Sequence, residues 1–232
     1  MCETYIINFY GILFSSFNAY GAIRDAVVSC IACLLRLPKD DYNTLQQEAA
    51  SFLTDTQTST ESIVKLELID SFVLEVLRLH PPAFNIFGVA VSNFVLESDC
   101  GNFLIKKGEV LCGNIYSTQR DRNLFHSPDS VLIRRYLDNP KLKRHVLAFG
   151  GNFDADESFV VHKCIGQHMV MMVLKLVAAH LMFCDMMPLE IPVWTGRNIE
   201  RLGCDDPIQM RTFKFHPPIR ATNDDSINQV DL

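Results

Sequence analysis

Basic charge is what this sequence is short of. Its 21 Lys and Arg residues are outnumbered by 27 Asp and Glu, for a formal net charge of −6. A protein that follows phosphates carries a basic patch or stripe. No such run occurs here, so nucleic acid is excluded as a partner, and no polybasic segment marks a membrane surface. Zinc-ligand spacing is missing too. The eight cysteines are scattered, and Cys30-Ile-Ala-Cys33 has neither a second C-x-x-C nor a His pair beside it. That pair reads as two small residues on one helix face. No basic region precedes the apolar start, so a secretory signal is not expected. Scattered cysteines in apolar context then point to a reducing, intracellular compartment, not to a disulfide framework. Internal repeats and low-complexity linkers are absent as well, which excludes solenoids and tethered modules.

What is present is enough apolar sequence for a sizeable core: 232 residues, 48% of them hydrophobic. Met1 to Ile23 is almost wholly apolar or small, interrupted by Asn8, Ser15, Ser16 and Asn18. Two readings stand for it: a transmembrane helix, or a core helix that needs covering partners. Phe9 to Leu37 reads as one long helix, ended by Pro38. A polar helix is expected over Tyr42 to Leu53 and a loop over Thr54 to Ser62. A further helix, capped by Ser62, is expected from Ile63 to Leu79, where His80-Pro81-Pro82 stops it. Short strands follow at Asn93 to Leu96, Phe103 to Ile105 and Val110 to Tyr116. Phe125 to Arg144 is irregular and Phe149 to Val161 reads as a loop. The segment from Ile165 to Phe183 is apolar nearly all round, so a buried helix is expected. Leu189 to Val193 and Met210 to His216 are late strand candidates, and Thr222 to Leu232 reads as a frayed polar tail. The fold class is mainly α with small β-sheets (α+β).

Two local patterns carry chemistry. Cys164 stands just ahead of the last helix, where unpaired backbone N–H groups and the positive end of the macrodipole favour a thiolate. A thiolate is a nucleophile or a metal ligand, and His162 adds a donor nearby. The plain alternative is a buried free cysteine acting as a small hydrophobe. Glu75 and Arg78 form an acid–base pair at i, i+3 on a helix otherwise made of Val and Leu. A charge pair in so apolar a helix needs burial with further partners.

In this order, Glu-x-x-Arg, Pro-Pro, small strands, an Arg-bearing irregular segment and a cysteine before an apolar helix, the chain resembles the C-terminal half of the cytochrome P-450 haem-thiolate family. Glu75 and Arg78 match that family's Glu-x-x-Arg pair. Ser130 to Leu137 looks like its Pro-Glu-Arg-Phe region, with Ile133 and Arg134 replacing the proline and glutamate. Arg135 would then complete a buried Glu–Arg–Arg cluster. The resemblance implies haem b as cofactor, Cys164 as axial thiolate, and His162 and Gly166 beside the haem.

It narrows further. Phe149 stands 15 residues before Cys164, and that longer loop is similar to the one of the allene oxide synthase, hydroperoxide lyase and epoxyalcohol synthase clan. Phe17-Asn18-Ala19-Tyr20-Gly21-Ala22 resembles the clan's Phe-Asn-x-x-Gly-Gly, with Ala22 a departure, and the acid–threonine pair of monooxygenases is not there. What the clan implies is a polyunsaturated fatty acid hydroperoxide as substrate, Asn18 as the residue that orients it, and no reductase. The alternatives are a conventional monooxygenase using dioxygen and a reductase, and a truncated fragment that binds no haem. On this reading residues 1–221 are the C-terminal part of one domain and 222–232 are its tail.

Overall fold

The computed structural model describes residues 19–54, 60–151 and 163–184, with the backbone of 187–188 and 213–214. It is mainly helical, with three two-stranded antiparallel sheets. Asn18, His162, most of the loop before Cys164 and the Leu189 to Val193 strand candidate lie outside the described residues.

Helix α1 covers residues 19–34, and Pro38 separates it from α2, Lys39–Thr54. Asp40 and Asp41 occupy the first turn of α2, where carboxylates meet the positive end of the helix dipole. Leu45, Ala49 and Phe52 repeat on its inner face and pack into the core. The single helix expected from Ile63 to Leu79 is instead two: α3, Thr60–Val64, and α4, Glu67–Leu79. The cause lies in α2. The Glu48 carboxylate accepts the N–H groups of Leu68 and Ile69 at 3.0 and 2.8 Å. Those are the orphan donors of a helix start. Leu66, at the N-cap, makes no side-chain cap of its own, so a tertiary acid starts α4.

Helix α4 is the centre of the molecule. Eleven of the twelve side chains from Leu68 to Leu79 are buried, all but Asp70. It packs against α2, against α6 (Arg135–Asp138) and against α7 (Gln167–Phe183). Helix α7 lies along α2 and buries Met171, Leu174, Ala178 and Met182 in the shared core. The burial expected all round α7 is not complete, since Met169 and Met172 are exposed.

Strand β1, Asn85–Val89, pairs with β4, Val110–Asn114, and β2, Phe94–Ser98, pairs with β3, Gly101–Ile105. The second pair is a hairpin turning at Asp99 and Cys100, and Gly101 enters it at φ +134. Phe87 and Val89 share one face of β1, opposite Cys112 and Val110, and that face is open to solvent. Asn114 caps the single turn α5, Ile115–Thr118, by accepting the N–H of Ser117. That turn replaces the end of the strand expected to run to Tyr116. A 3-10 turn, Pro140–His145, leads from α6 towards the Cys164 region, and β5, Met187–Pro188, pairs with β6, Phe213–Lys214.

Candidate functional site

The apolar periodicity of α4 places Glu75 and Arg78 on one face, and the fold buries both completely. Arg78 Nε donates to Glu75 Oε2 and Arg78 Nη2 to Oε1, each at 2.8 Å. Arg135, at the start of α6, donates Nε to the same Oε1 at 2.8 Å. One carboxylate thus serves two guanidinium groups, and the backbone N–H of Leu132 reaches it at 3.3 Å. The remaining donors go to carbonyls. Arg78 Nη1 meets the Gln119 and Pro128 carbonyls at 2.7 Å each, and Arg135 Nη1 meets that of His126 at 2.6 Å. Phe125, wholly buried, lies under both cations, with the Arg78 guanidinium 4.8 Å from its ring centre. Buried charges persist only when paired and hydrogen-bonded, and this cluster meets that condition by holding segment 126–130 through its carbonyls.

Beside it, burial raises the Tyr136 phenol well above its usual value, and the Glu75 carboxylate adds to the rise. Among the described residues no group makes a hydrogen bond of ordinary geometry to that hydroxyl.

Cys164 lies at the other end of this scaffold. Its side chain is exposed and its thiol is free. Its backbone N–H donates to the Phe149 carbonyl at 2.8 Å. Phe149 belongs to a turn closed by Gly150 N–H donating to the Leu147 carbonyl at 3.0 Å, with Gly150 at φ +80. Val146 and Phe149 bury their side chains in the core below it. Ile165 is fully exposed and Met169 largely so, which puts apolar surface on the residues that follow Cys164 in the chain. Gly166 is not required by conformation, since its φ is −86. Nor is it required by space on the thiol side, because a Cβ there would sit 3.7 Å from Cys164 Sγ, an ordinary contact.

Cys30 and Cys33 are buried on α1. Burial pushes both thiols up, Cys33 to about 12, so neither resembles a redox-active dithiol. Sequence reasoning missed Gln119, Phe125 and Glu48. No local pattern marks them, because each acts on a partner distant in the chain.

Among the described residues no helix is long and apolar enough to cross a membrane. Similar proteins include allene oxide synthase 1, chloroplastic, of Solanum lycopersicum, 27% identical over 177 residues, which covers 74% of this chain and 33% of that protein. A divinyl ether synthase of Allium sativum is 31% identical over 137 residues, 58% of this chain and 29% of that protein. The chloroplastic allene oxide synthase of Arabidopsis thaliana is 28% identical over 172 residues, 72% of this chain and 33% of that protein. The chain thus spans about a third of the length of the curated relatives it matches. The cytochrome P450 family model matches residues 27–183, a stretch that holds Glu75, Arg78, Arg135 and Cys164 together, and the chain belongs to that family.

Proposed function

We propose that this chain is the haem-ligating part of a haem-thiolate enzyme that rearranges polyunsaturated fatty acid hydroperoxides, with Cys164 as the axial ligand of haem b. The observation that carries the reading is the setting of Cys164: an accessible free thiol just before α7, its own N–H anchored on the carbonyl of the buried Phe149. The donor chemistry fits the group. Thiolate is a soft ligand suited to iron, and the exposed Ile165 and Met169 offer apolar surface to a flat macrocycle.

Bound haem would supply homolytic cleavage of the substrate's O–O bond, which a thiolate ligand favours by donating electron density. The chain's residues do the rest. Cys164 holds the ligand position. Glu75, Arg78 and Arg135 are too deeply buried to meet substrate, and they fix the backbone around the site. His162 would help to hold the haem by donating a hydrogen bond. Asn18 orients the hydroperoxide by hydrogen bonding; an amide has no useful titration, so its role is positioning.

The products in the relatives' names share one net change. Allene oxides and divinyl ethers each differ from their parent hydroperoxide by one water. The peroxide's terminal hydroxyl leaves together with one hydrogen of the carbon chain, and no external reductant is consumed. We therefore favour net dehydration over chain cleavage or epoxy alcohol formation. Because the substrate brings its own O–O bond, neither dioxygen nor a reductase enters. An intracellular setting accords with the chloroplastic label of two relatives.

The test is to express this chain, and any upstream-extended product of its gene, with haem. The ferrous–CO spectrum is recorded and a polyunsaturated fatty acid hydroperoxide is then added without NADPH. A thiolate-type spectrum, fast hydroperoxide loss and a product one water lighter are expected. Turnover only with a reductase and dioxygen would sink the reading in favour of a monooxygenase. A thiolate spectrum that survives Cys164→Ser would remove the ligand assignment, and unchanged turnover in Asn18→Ala would remove that of Asn18.

A further inference from the structure

We infer that Gln119 is a positioning residue for the Cys164 thiol, acting as the link between the buried charge cluster and the turn that holds the cysteine. The inference deepens the haem-thiolate reading and rests on it for the thiol's role as ligand.

Gln119 follows α5 directly, and its side chain is wholly buried. Its amide faces two ways. Nε2 donates to the Arg78 carbonyl at 2.9 Å, at the end of α4. Oε1 accepts the Leu147 N–H at 2.7 Å. In return, Arg78 Nη1 donates to the Gln119 carbonyl, so the two residues clasp each other through side chain and main chain. Every polar group of this side chain that the fold can use is therefore committed to one of two places: the residue that pairs with Glu75, and the residue that opens the Leu147–Gly150 turn.

That turn is what meets the cysteine. Leu147 is held at its N–H by Gln119 and at its carbonyl by Gly150. Two residues on, the Phe149 carbonyl accepts the N–H of Cys164. The path from Glu75 to the thiol is thus Arg78, Gln119, Leu147, Phe149 and Cys164, short hydrogen bonds joined by two residues of a closed turn. A buried glutamine that merely satisfied itself would need partners of any kind. This one spans two segments 41 and 28 residues distant in sequence, and the second leads to Cys164. Without it the Leu147 N–H loses its acceptor and the turn loses its hydrogen-bonded tie to α4, leaving the buried Val146 and Phe149 side chains to hold the carbonyl that meets Cys164.

The experiment compares Gln119→Met, which keeps length and loses both bonds, with Gln119→Glu, which keeps an acceptor for Leu147. Amide hydrogen exchange is measured across the chain, and the ferrous–CO spectrum and haem content are measured on the haem-loaded protein. In Gln119→Met, exchange at Leu147 and Cys164 should quicken roughly tenfold, as loss of one buried hydrogen bond implies. Amides of α2 should keep their rates. The thiolate-type spectrum should give way to a mixed one with haem still bound, and Gln119→Glu should restore part of both signals. Unchanged exchange at Leu147 and Cys164, or a quickening spread evenly over α2 and α7, would overturn the assignment. If the parent protein gives no thiolate spectrum at all, the haem-thiolate reading falls. The exchange at Cys164 then still decides whether Gln119 sets that residue's position.

Discussion

Glu75 and Arg135 are 60 residues apart in the chain and joined by a 2.8 Å bond in the fold, on a carboxylate that Arg78 already grips with two nitrogens. The sharing sets an asymmetry. Removing Glu75 strands two buried cations, whereas removing Arg135 leaves the Glu75–Arg78 pair intact. Glu75→Gln should therefore destabilise by about 3–5 kcal/mol, the cost of breaking a buried pair from one side. Arg135→Leu should cost clearly less. Urea unfolding of the two variants and of their double mutant measures both the difference and the coupling. Equal losses for the two single variants would contradict the sharing.

Glu48 starts α4 from outside it, accepting the N–H groups of Leu68 and Ile69 with its two oxygens. A lost cap costs about 0.5–2 kcal/mol. Glu48→Ala should fall in that range and should speed amide exchange at Leu68 and Ile69 ahead of the rest of α4. Glu48→Gln retains one acceptor oxygen, so it should protect one of the two amides better than alanine does. Exchange that stays slow at both positions in Glu48→Ala would show that another group serves as the cap.

What the sequence discloses follows the range of each interaction. The helix expected from Ile63 to Leu79 is legible over its Glu67–Leu79 part because 3.6-residue periodicity is local, and the i, i+3 spacing of Glu75 and Arg78 with it. The break before α4 is not legible, since Leu66 carries no capping group and the cap comes from α2. Arg135 came only with the family resemblance, because no periodicity joins it to α4. Cys164 was readable as a thiol before a helix, but the turn that holds it was not, for Phe149 contributes through a carbonyl that every residue has. Gln119 had no signal: a polar side chain after a helical turn is ordinary, and its burial depends on segments dozens of residues away. The β1 and β4 faces invert the usual inference. Their alternation marks a face fit for burial, yet Phe87, Val89 and Val110 stand open among the described residues.

The thiols should separate by burial. Cys30 and Cys33 are buried and pushed up, Cys33 to about 12, while Cys100, Cys112 and Cys164 are exposed. In haem-free native protein an alkylating reagent should modify the three exposed thiols first and reach the α1 pair only on unfolding, as peptide mass mapping would show. The same burial makes stability fall in alkali. Below the free-thiol value of 9.0 both states hold the proton, and the buried thiols lend their full contribution. As pH rises from there towards about 12, the unfolded chain loses protons that the native state retains. The unfolded state gains, by at most about 1.4 kcal/mol per pH unit for each such thiol. The Tyr136 phenol, raised by burial, adds loss in the same direction. Urea midpoints compared across this range, with Cys33→Ala as control, should show a shallower alkaline slope in the variant.

Gly150 is the last point at which the backbone itself constrains the site. Its φ of +80 is one that L side chains rarely adopt, and its N–H closes the turn on the Leu147 carbonyl at 3.0 Å. A Cβ in the left-handed region costs roughly 1–2 kcal/mol. Gly150→Ala can meet that cost by bearing the strain, or it can relieve it by opening the turn. Opening the turn moves the Phe149 carbonyl, and with it the acceptor for the Cys164 N–H. The expected outcome is a stability loss of about 1 kcal/mol or more together with faster exchange at the Cys164 amide. Gly166→Ala provides the contrast, because its φ of −86 suits alanine and the nearest atom, Cys164 Sγ, is 3.7 Å from the added carbon. It should leave stability nearly unchanged. Hydrogen exchange at Cys164 in the two variants then separates strain in the supporting turn from bulk beside the sulfur: the first should move that amide and the second should not.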